Sequence, residues 1–183
     1  MLNNNMSLTE IGKELEGKGD FIQIDYLTRY IEQRPPLFNK KFAFTKLLEI
    51  YEAKNMFNDA GKIYHSLAML TVIIREKIDY LTKASKSYIK GGNLEKADST
   101  LGSALAEASN IRKQVIYEEI KNFYKTQAEI YEKGSKRNHS VKIYEKILDM
   151  KISDDERKEI KEKLLNLYEG LGKFRESSVL KEE

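Results

Sequence analysis

The stretch LTKASKSYIKGGNLEKADSTLGSA, from Leu81 to Ala104, decides the fold. Leu81, Ala84 and Tyr88 are spaced three and four apart, which places them on one helix face. Gly91-Gly92-Asn93 then interrupts the pattern, with glycine where a helix end often needs a positive φ. Ala97, Leu101 and Ala104 make the apolar face of a second helix. Two amphipathic helices joined by a short turn form a hairpin that cannot bury its own apolar face.

The same pattern recurs on both sides. Leu15, Tyr51, Tyr88, Tyr131 and Tyr168 occupy equivalent positions, at steps of 36, 37, 43 and 37 residues. A period in this range predicts stacked helix pairs. The second copy has Phe44, Leu47 and Tyr51, a break at Asn55-Met56-Phe57, then Ala60, Tyr64 and Leu67. The fourth has Tyr124, Gln127 and Tyr131, a Gly134-Ser135 turn, then Ser140, Tyr144 and Ile147. The fifth has Leu164 and Tyr168, a Gly172 turn, then Ser177. The first is more degenerate: Leu8, Ile11 and Leu15, a Gly19-Asp20-Phe21 turn, then Ile24 and Ile31. Nine residues after each anchor stands Ile24, Ala60, Ala97, Ser140 or Ser177. Small side chains there let the second helix pass close to the first, where a large one would overpack.

Local signals set the boundaries. Ser7-Leu8-Thr9-Glu10 and Ser153-Asp154-Asp155-Glu156 are capping boxes, the first with Met6 and Ile11 as a hydrophobic staple. Arg34-Pro35-Pro36 ends a helix. The extra residues of the long step lengthen helices around a break near Ser109-Asn110. No Gly or Pro lies between Leu70 and Arg75, so one helix is expected to run into the next with a tight bend. No strand is expected.

These residues resemble the tetratricopeptide repeat family over about residues 6 to 183. The likeness rests on Tyr51…Ala60…Tyr64…Leu67, on Tyr88…Gly92-Asn93-Leu94…Ala97…Leu101…Ala104, and on Pro36 closing the first copy. It implies an all-α solenoid of five helix-turn-helix repeats, wound as a right-handed superhelix. The repeats are approximately 6–36, 38–72, 74–109, 112–150 and 153–183, in a single domain of residues 1–183. Three features depart from the family: the longer steps, Gln127 at an apolar position, and Lys161 and Lys181 at aromatic ones. The long steps are also similar to the solenoid of the soluble NSF attachment proteins.

Composition narrows the function. One-third of the residues are charged and the net charge is only +3, which argues against a nucleic acid backbone as main partner. There are no cysteines, so disulfide and thiolate chemistry is excluded. Met1 to Met6 is polar and carries no signal core. The apolar run Leu67 to Ile74 is too short to span a bilayer and reads as a buried helix end. A cytoplasmic location is expected.

Catalytic patterns are missing. The only histidines, His65 and His139, stand on different repeats and cannot make a zinc site of ordinary ligand count. Gly91-Gly92 lacks the lysine of a phosphate loop. Six of the eleven tyrosines fall at core repeat positions, and Tyr124 also fits the core pattern, leaving too few for base stacking. No enzyme activity, metal or cofactor is expected.

The family resemblance implies that first helices line a concave groove. The residues beside the buried ones are then Lys46, Glu49 and Glu52 in the second copy and Thr82, Lys83, Lys86 and Lys90 in the third. The fourth contributes Lys125 and Glu129. The lysines of the third copy form one stripe by their spacing. They are expected either to pair with acids of neighbouring first helices or to capture an acidic peptide or helix of a partner. The implied function is a non-enzymatic adaptor or scaffold. The alternatives are an RNA-binding helical repeat and a membrane-fusion adaptor of the attachment-protein type. Self-association through an end such as Val179-Leu180 is also open.

Overall fold

The computed structural model describes residues 2–182. Met1 and Glu183, which close the polar N-terminal stretch and the acidic C-terminal end, lie outside the described residues. The described chain is all-α, with ten helices. These are α1 (Leu8–Leu15), α2 (Asp20–Glu32), α3 (Leu37–Ala53), α4 (Phe57–Leu70) and α5 (Ile74–Lys90). They continue with α6 (Leu94–Glu107), α7 (Asn110–Lys133), α8 (Arg137–Leu148), α9 (Asp154–Gly170) and α10 (Phe174–Glu182).

The chain forms two compact units, divided between Ala108 and Ser109. In the first, α2 packs on α3, α3 on α4, α4 on α5 and α5 on α6. Ile11, Leu27, Tyr30, Ala43, Leu47 and Ala60 form the centre of its core. In the second, α7 packs on α8, α8 on α9 and α9 on α10. Ile116, Ile120, Tyr124, Tyr144 and Ile147 are fully enclosed there. Short links fold α3 to α6 in the first unit, and α8 to α10 in the second, back on their predecessors.

One turn geometry recurs four times. The amides of Met56, Asn93, Lys136 and Lys173 donate to the carbonyls of Tyr51, Tyr88, Tyr131 and Tyr168 at 2.8, 2.9, 2.8 and 2.8 Å. The residue before each donor has positive φ: Asn55 at 56°, Gly92 at 72°, Ser135 at 58° and Gly172 at 72°. This is the Schellman ending, in which a left-handed residue lets the last carbonyls find donors. Each anchor tyrosine is therefore also the residue whose carbonyl closes the turn. The first copy differs. Its positive φ is at Gly17, with Gly19 as the cap of α2, so Asp20 and Phe21 belong to the helix rather than the turn.

Both capping boxes form, at Ser7/Glu10 and Ser153/Glu156. Ser109 caps the 24-residue α7, which takes up the extra length of the long step. The link between α4 and α5 corrects the reading of 67–74. Leu67 and Ala68 are buried, but Met69, Ile73 and Ile74 are half exposed and Val72 is 96% exposed. The chain leaves the helix at Thr71, whose hydroxyl accepts from the Ile73 amide at 3.3 Å and donates to Glu76 at 2.9 Å. The run Thr71 to Ile74 is β-branched throughout, which weakens its hold on helical geometry.

Candidate functional site

Helix α5 packs on both α4 and α6, and its buried residues fall nearly all round it. From Leu81 to Lys90 every residue is buried except Lys83, Lys86 and Lys90. Nearly all the accessible surface of this stretch is thus lysine, in one narrow stripe. Thr82 is not part of it. Only 6% exposed, it donates its hydroxyl to the Ile78 carbonyl of its own helix at 2.9 Å. A threonine can satisfy itself this way inside a helix, so its polarity does not require a wet surface.

The lysines stand among aromatic rings. Lys83 Nζ lies 6.0 Å from the ring centres of both Tyr64 and Tyr80, whose centroids are 6.5 Å apart. Lys90 Nζ is 5.2 Å from the ring of Phe57. Such contacts are worth about 0.5–1 kcal/mol at exposed sites and hold an ammonium without neutralising it.

Two acids of α3 are engaged by other groups. Glu52 accepts the Tyr64 hydroxyl at 2.7 Å, and burial together with that carboxylate pushes the phenol well above its ordinary range. Glu49 pairs with Lys46 at 2.8 Å within α3. In the second unit Lys125 and Glu129, both on α7, meet α9. Lys125 bonds Glu156 at 2.5 Å and Glu129 bonds Lys163 at 3.1 Å. Ion pairing between successive first helices thus occurs at those two residues.

The Tyr64–Glu52 bond is one case of a repeated arrangement that the sequence pattern did not reveal. Tyr144 donates to Glu132 at 3.0 Å and Lys181 donates to Glu169 at 2.9 Å, each across the same twelve residues. Where the third copy has no acid, the two positions are Ile89 and Leu101, both buried. Lys181 thus makes the bond that tyrosine makes elsewhere. Its carboxylate partner immediately follows the anchor, a signal readable by pairing positions between helices rather than along one.

A second feature was not foreseen. A cavity of about 500 Å³ opens between α8, α9 and α10. Leu164, Tyr168 and Leu180 line it, with Leu148 and Val179. Glu145, Asp149, Arg175 and Glu176 stand around it.

Among the described residues no group of His, Cys, Asp and Glu could hold a metal ion. No described helix is long and apolar enough to cross a membrane. Compared with protein-family models, with curated proteins and with solved structures, the chain gives no match.

Proposed function

We propose that this chain is a non-enzymatic interaction module, built as five tetratricopeptide-like hairpins, that holds an acidic segment of a partner protein against α5. The observation that carries the reading is the surface of α5 between Leu81 and Lys90, which is nearly all lysine. Lys83, Lys86 and Lys90 project from a helix enclosed by α4 and α6, so their stems start from fixed positions. A partner carboxylate finding them meets preplaced charge, which favours both rate and register. Glu52, held by Tyr64, sets one negative charge on the Lys83 side of the stripe. Four identical turns at the tyrosine anchors support the repeat reading.

The test is affinity capture from native extract, using the chain beside its Lys83→Glu/Lys86→Glu/Lys90→Glu variant, with bound protein and bound RNA both read. A discrete protein captured by the first and lost from the second is the expected result. The same proteins on both baits would move the site off α5. RNA in place of protein, released steeply by salt, would replace this reading with nucleic acid binding.

A further inference from the structure

We propose that the link between α2 and α3 of one copy seats in the α8–α9–α10 cavity of a second copy. This rests on surfaces separate from the lysine stripe. The link and the start of α3 read Arg34-Pro35-Pro36-Leu37-Phe38-Asn39-Lys40-Lys41: three cations and no carboxylate. Leu37 is 53% and Phe38 70% exposed, on the first turn of α3. Two prolines limit the backbone beneath them, so little freedom is lost on docking. The segment is a stiff apolar knob flanked in the chain by positive charge.

The cavity is its complement. Its apolar lining suits Leu37 and Phe38, and its volume lies in the range that takes such groups. Three carboxylates, Glu145, Asp149 and Glu176, stand against the single cation Arg175. Charge also separates this knob from the exposed apolar run Val72 to Ile74, where Arg75 is followed at once by Glu76. The two surfaces are different patches of one chain, so the contact is head-to-tail. Each copy offers one knob and one cavity, and assembly proceeds stepwise beyond two chains unless a ring closes.

Light scattering of the full chain across a concentration series, at low and high salt, tests this with two variants. Leu37→Asp/Phe38→Asp removes the knob, and Val179→Arg fills and recharges the cavity. Both alter half-exposed or exposed side chains, and a melting curve for each confirms that it is folded; Leu37→Ala/Phe38→Ala replaces the first if it is not. The wild-type mass should rise above 21.3 kDa with concentration and fall back with salt. Each variant alone should associate at least about tenfold more weakly. An equal mixture of the two variants should form a species of two chains and nothing larger, since one knob and one cavity survive between them. A wild type that stays at 21.3 kDa throughout overturns the proposal. So does a mixture that fails to pair, or a knob variant that is monomeric while the cavity variant associates as wild type does.

Discussion

Tyr88 shows how tightly single side chains are set. Its ring lies against Gly61 of the preceding hairpin, where a Cβ would stand only 2.8 Å from the nearest ring atom. Gly61→Leu should therefore overpack the site and cost about 1–3 kcal/mol, read from the urea midpoint. Gly102 is the contrast, a helical glycine with no atom near an added Cβ. Gly102→Ala should stabilise by about 0.5–1 kcal/mol through helix propensity. Equal responses at the two sites would show that Tyr88 does not rest on Gly61. The small residues at the hairpin crossings obey the same logic. Ser85 donates to the Ala97 carbonyl at 2.9 Å, and Ser140 donates to the Ala128 carbonyl at 3.0 Å. Serine and alanine have exchanged helices, but each crossing keeps one hydroxyl and one bond. Requirements for small size at Ala97 and Ser140 were legible in the sequence. The exchange was not, because it links positions twelve residues apart. Gln127 departs from the apolar pattern and is nonetheless buried.

At the scale of elements, the start of α9 ties itself to α7. Glu156 closes the Ser153 capping box and also receives Lys125 at 2.5 Å and Lys121 at 3.3 Å. Lys121 is itself buried and pairs with Glu118 at 2.8 Å. The Lys125 hydrogen bond, followed by the Ser153 amide, lowers the Glu156 carboxyl from 4.5 to about 2. A depressed carboxyl stabilises the fold fully above its unfolded value and loses that contribution as pH falls through its folded value. Stability from this group should thus be intact above pH 4.5 and disappear toward pH 2. Glu156→Gln should be the less stable protein at pH 7, and the two stabilities should converge near pH 2. Parallel acid unfolding curves would dismiss the linkage. The capping box was visible in the sequence because its residues are three apart. The two lysines that complete the site come from another helix and gave no local sign. The Val72 to Ile74 link was misread for a related reason. An apolar run reveals affinity for a core but not the point where the chain departs from it.

At the scale of the molecule, protection should be uneven along the chain. Helix α5 is covered by α4 and α6, whereas α1 has eight residues and α10 nine. Helices that short are marginal without packing. Amide hydrogen exchange should be slowest in α5 and fastest in α1 and α10. Slow exchange in α10 equal to that of α5 would contradict this order. The all-helical class and most boundaries were legible, since apolar periods, turns and caps are signals read within a few residues. The division at Ser109 was signalled only as a helix break within a long step. The cavity beside α10 depends on which side chains fail to meet, and no periodicity records a gap.

The enclosure of α5 has a kinetic meaning. A helix clasped on two sides has little slack, so under the proposed function its lysines need no lid to open and no segment to order before a partner arrives. On that reading capture is a collision problem. Its speed should follow the ionic strength of the medium, and its lifetime should depend on how well the incoming carboxylates match the lysine stripe.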